Sequence, residues 1–390
     1  MVHPPRTVFV LDDDETALGG ICGLVRRIGA ECTAFQSSTA LTRKLAESPP
    51  DLILLDVRLG DDDLDSIEVL RRLAELKCRS AILLVSGVDT RLRRSVEAIG
   101  REYGLNIVGG LAKPFDTQQL EQALLAVDQQ PLAITGEVAL RELHRAFRNR
   151  EFDLHYQRQV GIGTGNTIGV EALVRWRHPV RGLLPPGEFL PLAESSGLIN
   201  PLTDWVLEES LAQLKAWHDR GLHDLTMSVN VPAKRLADSS FSTMVLSTLN
   251  RYGVSGDRLK LEVTETGVME DVITALDVLT QLRLKDVMLS IDDFGTGHSS
   301  LVKLRQIPFS EIKIDRSFVT DLDSDEDCVL LTRTIVDLAH CLNMQVVAEG
   351  VETAETMRIL GDLGCDVAQG YFIGRPAPAA KLFGAHDAAA

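Results

Sequence analysis

The sequence predicts an α/β chain of two successive folds. Residues 1–127 read as a doubly wound, flavodoxin-like parallel sheet. Residues 137–390 read as a (β/α)8 barrel of the TIM type. Three observations predict this. Strand-like apolar runs alternate with amphipathic helical patterns along the chain. The rhythm breaks at a short linker, residues 128–136, which contains Pro131. Strand after strand ends on a polar or charged residue, where open α/β sheets and barrels of this kind place their sites.

The bulk numbers agree with two domains. The chain has 390 residues, 45% of them hydrophobic and 25% charged, as in soluble globular proteins. No run of 18 apolar residues is present, so no membrane-spanning helix is expected. Residues 1–6 lead straight into a strand without the sections of a signal peptide, which makes the cytoplasm the expected location. The six cysteines, Cys22, Cys32, Cys78, Cys328, Cys341 and Cys365, form no CxxC pair. They are expected to be buried, reduced thiols. A net charge of −16 argues against binding to nucleic-acid backbone, so no DNA partner is expected. It leaves room for a small phosphate ligand, since bound divalent cations supply positive charge locally.

In the first segment the strands are expected at 7–11, 31–35, 51–55, 80–85 and 107–111, with an amphipathic helix to about Ile28. Their ends carry Asp12, Asp13, Asp14 and Glu15, then Asp56, then Ser86-Gly87, then Lys113-Pro114. A carboxylate cluster suits a hard cation such as Mg2+. With the cation held there, Asp56 can attack a phosphoryl group, whose oxygens Ser86 and Lys113 would contact. A plain acidic loop set in such a fold is the bland alternative.

These residues resemble the receiver domain of two-component response regulators. The resemblance covers about the first 125 residues and rests on Asp12-Asp13, Asp56, Ser86 and Lys113-Pro114. It implies that Asp56 is the phosphoacceptor, that Asp12, Asp13 and Asp56 hold Mg2+, that Ser86 and Lys113 form the switch, and that a sensor histidine kinase is the partner. Gly60 stands where the family has Pro, and the loop Asp61-Asp62-Asp63-Leu64-Asp65-Ser66 is longer than usual. Gly110 replaces the family's switch aromatic. The signal is therefore expected to leave through the Ser86-Gly87-Val88 loop and the helix after it.

Residues 137–150 then read as a helix with apolar Val138, Leu140, Leu143, Ala146 and Phe147, either a lead-in or a coupling element. Beyond it, candidate strands lie at 152–156, 168–174, 226–229, 259–261, 287–291, 311–314, 345–348 and 367–368. Eight strands alternating with helices fit the barrel. Two tandem repeats fused into one larger sheet is the alternative. The strand ends present Gln157, Glu171, Asn230, Glu262, Asp292 with Asp293, Lys313, Glu349 and Gln369. Singly, each could be a helix cap or a surface acid. Together, their burial without partners would be costly, and a shared metal site accounts for them. Carboxylates and an Asn carbonyl are hard oxygen ligands suited to Mg2+ or Mn2+. Two such cations can activate a water and clamp a displacement at phosphorus. Asp292 and Asp293 would alternate to opposite faces of a strand. A strand that stops at Asp292 would let both reach one site. Arg175 can grip a phosphate bidentately.

The motifs now resemble a second family. Glu171-Ala172-Leu173-Val174-Arg175 is the signature of the EAL domain, which hydrolyses cyclic di-GMP. Ser228-Val229-Asn230-Val231-Pro232, Glu262-Val263-Thr264-Glu265, Asp292-Asp293-Phe294-Gly295, Lys313-Ile314-Asp315, Ala348-Glu349-Gly350-Val351-Glu352 and Gln369-Gly370-Tyr371 follow in the family's order. The resemblance covers about residues 137–383. It implies that Glu171, Asn230, Glu262 and Asp292 ligate one metal and that Asp293 reaches a second. Glu349 would stand with Lys313 at the metals and the attacking water, and Glu352 and Gln369 would complete the site. Glu171, Lys313, Glu349 and Glu352 are then the catalytic set. Gln157, Leu173, Arg175, Asp315 and Gln369 would bind substrate, and Glu265 would anchor the loop 293–300. His298, Ile373 and Arg158 depart from the family's Tyr, Phe and Pro without removing a ligand.

The whole chain thus resembles response regulators with a receiver fused to an EAL phosphodiesterase. The resemblance implies hydrolysis of cyclic di-GMP to linear pGpG by a two-metal mechanism, modulated by phosphorylation of Asp56. It also implies a homo-oligomer assembled through EAL or receiver surfaces. A catalytically silent cyclic di-GMP sensor is the other reading, although silent members would be expected to lose ligands. A Mg2+ barrel for enolate chemistry would explain the acids but not their order.

Overall fold

The computed structural model describes residues 7–59, 65–87, 90–128, 137–270, 272–296 and 301–383. Gly60, residues 61–64 of the acidic loop, Val88, residues 129–136 of the linker and His298 lie outside the described residues. The chain divides into two compact units, Met1–Leu132 and Ala133–Ala390.

The first unit is built on β1 (Thr7–Leu11), β2 (Glu31–Phe35), β3 (Leu52–Asp56), β4 (Ala81–Ser86) and β5 (Ile107–Ala112). These form one five-stranded sheet in the order β2-β1-β3-β4-β5, with every pairing parallel. Successive residues of the central strands enter two different cores. Phe9, Leu11, Ile53, Leu55, Ile82 and Leu84 pack on one side. Val8, Val10, Leu52, Leu54, Leu83 and Val85 pack on the other. Period-2 side chains that are apolar on both faces need helices on both faces, which is the doubly wound arrangement. The helix Glu15–Arg27 starts at Asp14, whose side chain accepts the Thr16 N–H at 2.7 Å, and it carries Arg26 and Arg27 in its last turn.

The cysteine expectation needs correction on both pairing and burial. Cys22, on that helix, is disulfide-bonded to Cys32 of β2, with Cα atoms 5.7 Å apart. The helix lies against the strand and brings together two residues that no sequence pattern pairs. Cys78, Cys328, Cys341 and Cys365 are free thiols, but Cys78 is half-buried and Cys341 is exposed.

The second unit contains β6 (Phe152–Gly161), β7 (Thr167–His178), β8 (Gly182–Leu184), β9 (Thr226–Asn230), β10 (Leu259–Thr264), β11 (Met288–Phe294), β12 (Glu311–Ile314), β13 (Gln345–Ala348), β14 (Val367–Ala368) and β15 (Ala377–Pro378). Strands β7, β9, β10, β11, β12, β13 and β14 pair in parallel, each with the next. β6 closes the barrel by pairing with both β7 and β14, antiparallel to each. The eight candidate strands are the eight staves, so the single-sheet alternative is set aside. A uniformly parallel barrel is not what forms. The turn between β6 and β7 is too short for a crossover, and only an antiparallel hairpin can use it. The helix Glu137–Asn149 buries Ala139, Leu143 and Ala146 against this unit's core.

Candidate functional site

The strand ends of the first unit gather its acids. Asp12 follows β1, and Asp56 closes β3; both are buried, while Asp13 is exposed. Carboxylate oxygens of Asp12, Asp13 and Asp56 all lie within 4.8 Å of one another, close enough to share one cation. Lys113 follows β5 and donates to Asp12 Oδ2 at 2.5 Å and to Asp56 Oδ2 at 2.7 Å. Burial pushes the Asp56 carboxyl up, and the Lys113 hydrogen bond only partly offsets it. Burial would lower Lys113, but its bonds to Asp12 and Asp56 outweigh that and hold it above the ordinary value. Ser86, at the end of β4, is buried, and its carbonyl accepts the Lys113 N–H at 2.8 Å.

Gly110, on β5, shows what fills the place of an aromatic. A Cβ there would lie 2.5 Å from Arg93 Cδ and 2.6 Å from Glu97 Oε1. Those two residues of the helix Thr90–Glu102 form an ion pair at 3.3 Å. The helix therefore packs onto the bare backbone of β5.

In the barrel, Glu171, Glu262, Asp292 and Lys313 converge from β7, β10, β11 and β12, joined by Glu349 just after β13. Lys313 is the hub. Its Nζ lies 2.6 Å from Glu349, 2.7 Å from Glu262, 3.2 Å from Asp292 and 4.0 Å from Glu171. Both Glu262 and Lys313 are fully buried. Burial raises Glu262 well above a normal carboxyl, while Lys313 is held well above a normal amine by Asp292, Glu171, Glu262 and Glu349 against the opposing effect of burial. Burial, with Asp292 and Glu171 nearby, lifts Glu349 to about 7. Burial and the neighbouring Asp292 lift Asp293 to about 6.

The two adjacent aspartates reach the site by a different route from the one expected. β11 does not stop at Asp292; it runs to Phe294. Its register with β12 shifts between Ile291 and Phe294, and Asp293 adopts a left-handed φ of 54°. This local irregularity breaks the alternation. Carboxylate oxygens of Asp292, Asp293 and Glu349 consequently fall within 4.8 Å of one another.

Two side-chain amides hold the carboxylate of Glu171. Asn230 Nδ2 donates to Glu171 Oε1 at 2.7 Å, and Gln369 Nε2 donates to Glu171 Oε2 at 2.5 Å. Gln369 also donates to Gln157 Oε1 at 3.2 Å and accepts from Gln159 at 2.9 Å. Gln159 is 1% exposed and lies on the part of β6 beyond the strand expected at 152–156. Carrying the period-2 alternation on from Gln157 would have found it. Glu265, also buried, accepts the Gly295 N–H at 2.8 Å. Gly295 has φ 97°, and a Cβ there would meet the Phe318 ring at 2.9 Å, so this turn admits only glycine.

Not every candidate joins the cluster. Arg175 is half-buried, and its guanidinium donates to the Val174 carbonyl at 2.9 Å. Leu173 is half-buried on the same strand, β7. Asp315 caps the helix Arg316–Val319 through the Ser317 N–H at 3.0 Å. Glu352 is exposed, and no hydrogen bond or ion pair ties it to the cluster among the described residues.

The donor set fits divalent cations. It is all oxygen, and among the described residues Glu262 Oε1 is a buried acceptor without a hydrogen-bond partner. Asn230 leaves its carbonyl oxygen without a hydrogen bond among the described residues.

Comparison with known proteins agrees with this geometry. The model of the EAL domain matches residues 140–376, and that of the response regulator receiver domain matches residues 8–125. The bifunctional diguanylate cyclase/cyclic di-GMP phosphodiesterase MucR of Pseudomonas aeruginosa is 45% identical over 243 residues, covering 62% of this chain and 36% of that protein. The cyclic di-GMP phosphodiesterase NbdA of the same organism is 41% identical over 241 residues, covering 62% and 31%. The chain thus spans about a third of the length of these curated relatives. The solved PaMucR phosphodiesterase in its c-di-GMP complex superposes with a TM-score of 0.61 at 45% identity, covering 63% of this chain and 99% of that one. With its acids gathered from the barrel's strands and a receiver domain ahead of them, this chain belongs to the EAL domain family.

Proposed function

We propose that the EAL domain hydrolyses cyclic di-GMP to linear pGpG, and that phosphorylation of Asp56 in the receiver modulates the rate. The observation that carries this reading is the convergence of Glu171, Glu262, Asp292 and Glu349 on one buried lysine, with Asn230 and Asp293 beside them. No ligand position implied by the family resemblance has been lost.

Glu171, Asn230, Glu262, Asp292, Asp293 and Glu349 would hold two cations, Mg2+ or Mn2+. When bound, these would lower the pKa of a water and screen the charge that develops on the phosphate. Asn230 and Gln369 fix both oxygens of Glu171, which orients that carboxylate before substrate arrives. Glu349, bonded to Lys313, is placed to take a proton from the attacking water. Water adds to phosphorus, the bond to one ribose oxygen breaks, and that oxygen leaves as a hydroxyl once protonated. Arg175 would turn from its own backbone to grip a phosphate, with Gln157, Leu173 and Asp315 on the substrate's flanks. Glu352 would join only through a movement of its loop.

In the receiver, Asp12, Asp13 and Asp56 would hold Mg2+, and Asp56 would take a phosphoryl group from a phosphodonor such as a sensor histidine kinase. Lys113 already bridges two of these acids and, with Ser86, would meet the new phosphoryl oxygens. Among the described residues no helix is long and apolar enough to cross a membrane. Assembly of two copies through EAL or receiver surfaces belongs to the same reading.

The test is incubation with cyclic di-GMP and Mg2+ or Mn2+, followed by chromatography. Linear pGpG should form, EDTA should stop it, and Ca2+ should restore it poorly because it is larger and more loosely coordinated. Binding without turnover under these conditions would make the domain a sensor instead.

A further inference from the structure

Two buried ion pairs join the same two strands of the barrel, one beneath the other. In the upper pair, Lys313 of β12 donates to Glu262 of β10 at 2.7 Å. In the lower pair, Lys260 of β10 is bonded to Glu311 of β12. Both pairs bridge 51 residues of sequence. Lys260 and Glu262 are two residues apart on β10, as are Glu311 and Lys313 on β12, so each strand turns both of its charges to one face. Every charge then has an opposite charge across β11 and another along its own strand. The four residues are 4%, 0%, 1% and 1% exposed in the order Lys260, Glu262, Glu311 and Lys313.

β11 runs between the two strands. At this level it presents Ser290, in register with Glu262 on one side and Glu311 on the other. A side chain this small leaves the space across which both pairs reach. Among the described residues, the oxygens Ser290 Oγ, Ser228 Oγ, Glu311 Oε1 and Glu262 Oε1 are buried without a hydrogen-bond partner. Barrels of this type usually fill such layers with branched apolar side chains. A buried pair costs desolvation that its own attraction does not reliably recover. The lower pair is therefore not explained by stability alone.

We infer that Lys260 and Glu311 are positioning residues for the site above them. They hold β10 and β12 at the spacing that sets Glu262 against Lys313. Their dipole runs opposite to that of the Glu262–Lys313 pair, and the two dipoles attract side by side. Oxygens left open in the lower layer would be met by buried water. The inference rests on reading the upper layer as the metal-dependent phosphodiesterase centre.

The experiment compares wild type with K260M/E311M and with the exchanged pair K260E/E311K. Thermal denaturation and Mn2+ binding by calorimetry are read first, because neither requires turnover; kcat and KM for cyclic di-GMP follow. K260M/E311M should melt cooperatively yet bind Mn2+ about 10-fold more weakly, with kcat falling and KM held, as for other residues that orient ligands. K260E/E311K keeps a pair but sets the two dipoles parallel, and should melt below K260M/E311M. Wild-type Mn2+ affinity in folded K260M/E311M, or a wild-type melting temperature in the exchanged variant, overturns the inference. If neither double variant folds, E311Q decides, since it keeps a partner for Lys260 but removes the charge; unchanged Mn2+ affinity there also overturns it. A wild type that binds Mn2+ without hydrolysing cyclic di-GMP would instead sink the functional reading and leave these comparisons intact.

Discussion

Glu265 Oε2, from the helix Glu265–Glu270 that follows β10, accepts the backbone N–H of Gly295 at 2.8 Å in the turn after Asp293. Glu265 is 2% exposed. Its bond holds the turn whose left-handed Asp293 aims a carboxylate at the site.

Glu265→Ala is therefore expected to lower phosphodiesterase activity about 10- to 100-fold, the range found for residues that orient a metal ligand. The protein should stay folded, although the unpaired Gly295 N–H costs about 1–3 kcal/mol. Mn2+ titration and thermal denaturation separate the two effects. Wild-type rate and metal affinity would remove the anchoring role.

Glu171→Ala should abolish hydrolysis while leaving a cooperative thermal transition. Glu171 is held by the amides of Asn230 and Gln369. Loss of the transition together with activity would show that this acid serves the fold.

The metal-free protein should gain stability as the pH falls from 8 toward 5. Burial raises Glu349 to about 7 from 4.5 and Asp293 to about 6 from 3.8. The folded chain thus binds protons that the unfolded chain does not hold at neutral pH. Stability rises as the pH falls through the folded values, and the gain is complete below the unfolded ones. Urea denaturation in EDTA across this range measures it, and Glu349→Gln should flatten the slope near pH 7. An unchanged slope in that variant would assign the effect elsewhere.

Beryllofluoride, a phosphoryl mimic, should raise the phosphodiesterase rate of wild type and leave Asp56→Asn unmoved. A phosphoryl group brings nearly two negative charges beside Lys113 and Ser86. Lys113 now spends its ammonium on Asp12 and Asp56, and it would have to repartition. The helix Thr90–Glu102 follows the Ser86 strand end and packs over Gly110 through Arg93 and Glu97, so it is the element placed to carry the change. Activation rather than inhibition is the expected direction. If the mimic binds and the rate is constant, the receiver serves localisation or partner binding. An equal response in Asp56→Asn would move the acceptor to another residue.

Local signals in the sequence determined much of this protein. Period-2 and helical periodicities located all five strands of the first sheet and all eight staves of the barrel. Polar residues on or just after the strands marked both acidic clusters, because the strands of these folds open on a common site. What only the tertiary structure decided depends on register and close packing. The reversal of β6, the left-handed turn at Asp293 and the Cys22–Cys32 bond each depend on which backbone lies beside which. The Lys260–Glu311 layer belongs with them. It joins residues 51 apart through the stagger of three neighbouring strands. Periodicity along a single strand sets the face a side chain takes, but not the partner it meets there.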